Sequence, residues 1–226
     1  TRNLNPWKYQ INHHAIDHLD KRTAWLLGWM ASDGFVINDH RFGLKVASID
    51  ADIIEKFKNY LKFTGPIYQI TQTLKQTNKS YKQIGIIPTS TRIVHKLKQF
   101  GIIPNNSLLL KFPVNIGKQS ENIIRFFIRG IFEGDGSLLL EKNKSLLFQI
   151  VGTKALCVGI QKQLIRFLRV KKTKLTNNIL GHNHYALRYR GRFQALRIME
   201  WLYQNSFDYV LNRKYTNYLS ILRKLS

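Results

Sequence analysis

Two aspartates, Asp33 and Asp135, stand 102 positions apart in a chain of 226 residues, and each is followed by glycine. Paired carboxylates hold hard divalent cations, and such cations activate water and stabilise charge on oxygen. The surroundings of the two residues repeat. Residues 23–35 read TAWLLGWMASDGF and residues 125–137 read RFFIRGIFEGDGS, which aligns Gly28 with Gly130, Asp33 with Asp135 and Gly34 with Gly136. One Asp before Gly is an ordinary turn residue, but its recurrence at matching points of two similar segments argues for chemistry.

These carboxylates must be positioned by helices. Each segment has apolar residues at helical spacing and small residues four apart, Gly28 with Ser32 and Gly130 with Gly134. Residues four apart share a helix face, so each helix carries a smooth strip on which the other can approach closely. Gly34 and Gly136 are expected in the left-handed conformation that ends a helix, which puts Asp33 and Asp135 in the last turn. The helix dipole is negative there, so a carboxylate is unfavourable unless a cation such as Mg²⁺ offsets it.

The elements after each helix also repeat. In the first half an alternating segment (residues 35–50), an amphipathic helix (50–65), a strand pair around 77–80 and a helix from Thr91 follow. In the second half the order recurs, with SLLLEKNKSLLFQIVG, a helix from Thr153, strands within 171–191 and a helix from Phe193. Residues 105–120, rich in turn formers, read as a linker between halves spanning 1–104 and 121–226.

Thirty-six Lys and Arg against thirteen Asp and Glu give a net charge of +23, far beyond the needs of solubility. The basic residues are interleaved with Tyr, Phe, Gln and Asn, which suits a folded surface tracking phosphates. The lone Cys157 excludes an internal disulfide and a thiolate zinc cluster, and no apolar run suits a signal peptide or membrane span. A reducing compartment is implied. The abundance of Lys, Asn and Ile hints at an AT-rich genome, as in a mitochondrion, chloroplast, bacterium or phage.

LLGWMASDG at 26–34 and IRGIFEGDG at 128–136 resemble the two signature helices of a monomeric, double-motif LAGLIDADG homing endonuclease, or meganuclease. The resemblance covers nearly the whole chain. It implies an α+β fold of two pseudo-symmetric αββαββα subdomains, with the signature helices at their interface and antiparallel sheets forming a DNA-binding saddle. It further implies metal-dependent hydrolysis of both strands of a long double-stranded DNA target, leaving short 3′ overhangs. The metal set carried over is Asp33 and Asp135, with Gly34 and Gly136 beside them; Mg²⁺ is the expected cofactor, and Mn²⁺ or Ca²⁺ could occupy the same sites.

The resemblance also implies a basic residue, usually Lys, near each metal site. Lys214 stands at that place in the second half and Asn106 in the first, where Asn cannot supply the same charge. Equal cutting of the two strands is therefore in doubt, with Lys111 as an alternative donor. Ser48 and Gly152 fall near the polar position that organises water in such enzymes. Glu133 faces Ala31 in the alignment, so it is expected to play a local rather than a symmetrical catalytic role.

Strand alternation puts Phe42, Leu44, Val46, Tyr185, Leu187 and Tyr189 inward. It leaves Arg41, Gly43, Lys45, His184, Ala186, Arg188 and Arg190 outward. Gln69, Thr71, Thr73, Lys75, Tyr81, Lys82, Gln83, Gln149, Lys172 and Lys174 complete the expected DNA-contacting set. A register slip of one residue would invert these assignments.

Four other readings compete. His182-Asn183-His184 spells HNH, but that nuclease class needs separated ligands in a ββα site. His13, His14 and His18 could bind a transition metal, but without Cys or a matching acidic partner they suit exposed loop residues better. The same fold could instead serve a group I intron RNA maturase or a DNA-binding regulator that does not cut, making the host intron RNA a second candidate partner.

Overall fold

The computed structural model describes residues 8–73, 80–104, 108–142, 145–177, 183–206 and 208–225. Two helices form its centre. Helix α1 (Lys21–Ser32) starts where the Asp20 carboxylate accepts the Thr23 amide at 2.7 Å, an N-cap that satisfies an otherwise orphaned donor. Every residue from Thr23 to Met30 is buried. Helix α5 (Glu121–Asp135) is buried without a break from Ile124 to Glu133. Helices buried on every side belong inside a protein, and these two pack against each other.

The glycines decide how closely. A Cβ on Gly28 would collide with the Phe127 carbonyl oxygen and lie 2.9 Å from the Gly130 Cα, and one on Gly130 would collide with the Trp25 carbonyl oxygen. The expected smooth strips therefore meet backbone to backbone. Around them Trp25, Trp29, Phe127 and Phe132 are buried, each contributing on the order of 1.5–3 kcal/mol by leaving water.

Each central helix leads into a four-stranded antiparallel sheet. The first comprises β1 (Gly34–Val36), β2 (Phe42–Ala47), β3 (Tyr68–Thr73) and β4 (Ser80–Ile86), in the order β1-β2-β4-β3. The second comprises β5 (Gly136–Leu140), β6 (Leu146–Gly152), β7 (Thr176–Asn177) and β8 (Tyr185–Arg190), in the order β5-β6-β8-β7. Helices α2 (Ala51–Tyr60) and α3 (Thr91–Gln99) accompany the first sheet, and α6 (Lys154–Leu168) and α7 (Arg192–Tyr203) the second. The α+β class and the αββαββα order of each half are present. The stretch expected to be a linker contains a short helix, α4 (Val114–Gly117), which buries Ile116, and the chain closes with α8 (Asn212–Leu225).

Gly34 and Gly136 differ from expectation. The only glycines with positive φ among the described residues are Gly101 and Gly191. Gly136 is extended, with φ −101° and ψ 167°, and both residues open strands. Their requirement is steric. A Cβ on Gly34 would lie 2.5 Å from the Met30 Cα, and one on Gly136 would lie 2.5 Å from the Phe132 carbonyl oxygen.

Register fixes the faces. Phe42, Leu44 and Val46 are buried, and Lys45 pairs with Gly85 on the opposite face. In the second sheet Phe148 pairs with Tyr189 and Ile150 with Leu187 toward the core, while Gln149 pairs with Arg188 and Leu147 with Arg190 outward. Ala186 faces outward in register, yet it is fully buried between Val151 and Thr176 because its methyl is shorter than its neighbours.

The β3–β4 hairpin corrects the reading of this surface. Gln69 pairs with Ile84, Thr71 with Lys82 and Thr73 with Ser80. Directly paired residues share a face, so Gln69, Thr71, Thr73 and Lys82 lie on the side of the buried Ile84 and Ile86, opposite Lys45. Ile70 and Gln83 share the face of Lys45. All four displaced residues are nevertheless exposed, because the hairpin reaches past the core. Lys172 and Lys174 precede the two-residue strand β7 and lie on no strand. Lys75 lies outside the described residues, as do Asn106 and His182.

Candidate catalytic centre and nucleic-acid face

The ends of α1 and α5 meet at a point set by Gly134. A Cβ there would lie 2.5 Å from the Asp33 Oδ2 and would collide with the Ser32 hydroxyl. Asp33 caps α1, its N–H donating to the Trp29 carbonyl at 2.9 Å, and Asp135 is the last residue of α5. The carboxylates are close enough to feel each other. Burial raises the Asp135 carboxyl to about 7, the Asp33 charge adding to the rise. Burial likewise raises Asp33 to about 6, against the pull of the nearby Lys214 ammonium. Solvent still reaches Asp135, which is exposed along one edge.

Lys214, at the start of α8, binds three backbone carbonyls. Its Nζ donates to the oxygens of Phe132 at 2.9 Å, Gly134 at 3.1 Å and Gly136 at 2.6 Å. These carbonyls surround the end of α5, where the dipole is negative and a cation is favourable. Burial, aided by neighbouring Arg213, lowers the ammonium to about 8. Arg213 is turned away by a bidentate pair with Asp50 at 2.7 and 2.9 Å, which joins α8 to the first half of the chain.

The two sides of the centre differ. Met30, Ser32 and Gly34 are the counterparts of Phe132, Gly134 and Gly136. They line a cavity of about 390 Å³ into which Asp135 and His184 open, closed by Ile102, Leu110 and Gly152. Among the described residues no ammonium rests on the carbonyls of those counterparts. Lys111 is exposed and lines a separate cavity with Phe100 and Pro113. Ser48 is exposed beyond the end of β2, and Gly152, the last residue of β6, offers no side chain.

Glu133, expected to act locally, instead joins the two central helices. It is buried, and its Oε2 accepts the indole N–H groups of Trp25 at 2.8 Å and Trp29 at 3.3 Å, crossing from α5 to α1. Burial raises it to about 7. Arg129, fully buried, donates to the carbonyls of Leu202 at 2.5 Å, Gln204 at 3.1 Å and Tyr209 at 3.3 Å and stacks 4.0 Å over Phe126. Sequence reasoning missed this arginine; a charged residue in the middle of an apolar helix was the available signal.

The donor set suits a hard cation. Mg²⁺ is held by one or two carboxylates and keeps several waters, which Asp33 and Asp135 can satisfy. Among the described residues no group of three His, Cys, Asp or Glu side chains assembles, so a zinc-type cage is not offered. The Gly136 carbonyl is committed to Lys214, whereas Gly34 lies at the cavity wall.

The outward face of the second sheet carries Arg188, whose Nε donates to Gln149 Oε1 at 2.6 Å, with Arg190 exposed beyond it. On the first sheet Arg41 and Lys45 are half-buried. No helix of the described residues is long and apolar enough to cross a membrane.

No protein-family model matches the chain, and no curated protein matches it. Solved structures do. The homing endonuclease I-WcaI bound to its DNA recognition sequence superposes with a TM-score of 0.59 at 13% identity, covering 88% of this chain and 87% of that one. The N-terminal LAGLIDADG domain of DUF199/WhiA gives 0.54 at 12%, covering 84% and 87%. Mesophilic variants of the homing endonuclease I-DmoI give 0.52 at 15%, covering 81% and 96%. With two matching halves, signature helices crossing at glycines and structural likeness over most of its length, the chain has the double-motif LAGLIDADG fold.

Proposed function

We propose that the protein is a site-specific DNA endonuclease that hydrolyses both strands of a long duplex target with divalent metal ions, leaving short 3′ overhangs. The observation that carries this reading is the convergence of Asp33 and Asp135 at the crossing of α1 and α5, both carboxyls pushed upward by burial. Structure alone gains nothing from two carboxylates there, at the negative ends of two helices.

Asp33 and Asp135 would hold Mg²⁺, or Mn²⁺ or Ca²⁺ in its place, and the bound ion supplies water activation and charge stabilisation at the scissile phosphate. Gly28, Gly130 and Gly134 set the carboxylate spacing by allowing close helix contact. Lys214 places positive charge beside Asp135, where an attacking water or a phosphate oxygen would lie. Arg188, Arg190, Gln149 and Lys45 present donors and acceptors toward the grooves, Arg reading guanine and Gln reading adenine. With both motifs in one chain, a monomer suffices for two-strand cutting.

The test is selection from a randomised duplex library in Mg²⁺, with recovery of cleaved ends. One long motif is expected. Selective binding without cutting would instead favour a DNA-binding regulator. Preference for structured intron RNA over duplex DNA would favour a maturase.

A further inference from the structure

The two halves differ at the far ends of their sheets, away from the aspartates. After α2 the chain reads Leu61-Lys62-Phe63-Thr64, and from the last residue of α6 it reads Leu168-Arg169-Val170-Lys171. Leu61, Phe63, Leu168 and Val170 are buried, and Lys62 and Arg169 share a left-handed backbone, with φ of 48° and 52°. Ser90 and Gly191 correspond as the N-caps of α3 and α7. Their N–H groups donate to the carbonyls of His40 and Leu146, each beside the start of the second strand of its sheet. Counting from these caps, Arg92 matches Phe193 and Lys96 matches Arg197.

In the first half this corner is covered by residues 10–17. Gln10 and Thr64 exchange hydrogen bonds, the Asn12 N–H donates to the Leu61 carbonyl, and His13 Nδ1 lies 2.8 Å from the Ser90 hydroxyl. Asp17 closes the corner with a bidentate pair to Arg92 at 2.9 and 2.7 Å. In the second half no described segment lies over the same place. It is instead a cavity of about 380 Å³ walled by residues 169–171, 190–194 and 197, which carry Arg169, Lys171, Arg190, Arg192 and Arg197. Arg190 meets Glu141 at 3.1 Å and Arg192 donates to the Leu225 carbonyl at 2.8 Å. The side chains of Arg169, Lys171 and Arg197 have no ion pair or hydrogen bond among the described residues. Phe193, 74% exposed, leaves its ring at the rim.

Where the first half supplies a carboxylate, the second half presents Arg169, Lys171 and Arg197 with no carboxylate beside them among the described residues, Arg197 resting 5.9 Å over the Phe193 ring. A cavity with that charge calls for an anion, and arginine clusters suit phosphate. The outward row of β8 runs from His184, which lines the Asp135 cavity, through Arg188 to Arg190, which lines this one. A duplex lying along that row would meet the cavity about 20 Å beyond His184 at the usual strand rise. We infer that this arginine cradle binds backbone phosphates of duplex DNA beyond the stretch read by the second sheet, giving one end of the protein a grip that the other lacks. This rests on the DNA-binding part of the proposed function.

The test compares Arg169→Gln/Arg197→Gln with Lys62→Gln/Lys96→Gln, the same positions in the covered half, each pair removing two charges. Binding of a fluorescent 40-base-pair random-sequence duplex is titrated against salt. The cradle pair is expected to flatten the log-affinity against log-salt slope by about 1.8, near 0.9 per lost phosphate contact, and to weaken binding about tenfold at low salt. The control pair should change the slope by less than about half a unit. Equal effects of the two pairs, or a cradle effect seen only with single-stranded RNA, would overturn the inference while leaving duplex binding intact. If the unmodified protein fails to bind the duplex, the proposed function falls and the inference with it.

Discussion

Asp33 Oδ2 lies against the Cα of Gly134, on the partner helix one residue before Asp135, so closely that a Cβ there would be 2.5 Å away. The spacing of the two carboxylates thus depends on a missing methyl. Gly134→Ala is expected to push Asp33 and Ser32 aside, costing about 1–3 kcal/mol in unfolding free energy and reducing cleavage at least tenfold with DNA affinity retained. Gly130→Ala, whose Cβ meets backbone rather than side chain, should destabilise more. Urea unfolding and a cleavage assay check both.

The metal-free protein should have a stability minimum near pH 7 to 8. Asp33, Asp135 and Glu133 titrate near 6, 7 and 7 when folded, above the values of an unfolded chain. The folded state therefore binds more protons between about pH 4 and 7, and stability falls as pH rises through that window. Lys214, lowered to about 8, binds fewer protons folded than unfolded above that point, so stability recovers up to about pH 9, where the buried Cys157 thiol, raised to about 11, begins to offset the gain. Glu133→Gln, which keeps an acceptor for the two indoles, should raise stability at pH 8 by about 1–2 kcal/mol. Asp135→Asn should gain less, because solvent screens its charge. Thermal unfolding across pH without metal measures this, and added Mg²⁺ should stabilise the unaltered chain more than Asp135→Asn.

Lys214→Met should leave the fold intact while lowering cleavage about 10²-fold or more, the scale of a lost proton-transfer or charge-stabilising group. Lys214→Arg should not rescue it, since a planar guanidinium cannot meet the carbonyls of Phe132, Gly134 and Gly136 as a compact ammonium does. Because no described ammonium occupies the matching place by Met30, Ser32 and Gly34, the two strands should be cut at unequal rates. A supercoiled plasmid carrying the selected target would show this as a nicked intermediate.

The signature helices were legible because glycine spacing and the terminal aspartates encode packing and charge within a dozen residues. The two sheets were legible as alternating segments, and the outward placement of Arg188 and Arg190 followed from an unbroken alternation through Leu187 and Tyr189. The face of Gln69 and Thr71 was not legible, since an exposed hairpin of polar residues does not reveal its parity and only pairing with Ile84 and Lys82 fixes it. Glycines at strand starts read like left-handed helix ends, because sequence does not separate a steric need from a conformational one. The bonds from Trp25 and Trp29 to Glu133 span more than a hundred residues, as does the link between Asp50 and Arg213, and no local pattern announces either.

On the proposed function, Asp33 and Asp135 serve one metal-dependent centre. The most direct measurement is two-strand cleavage of the selected duplex in Mg²⁺ by the unaltered chain, Asp33→Asn and Asp135→Asn, with DNA binding measured in parallel. Loss of cutting on both strands in each variant, with binding within about threefold of the unaltered chain, is the predicted result. Cleavage of either strand that survives both substitutions would contradict it.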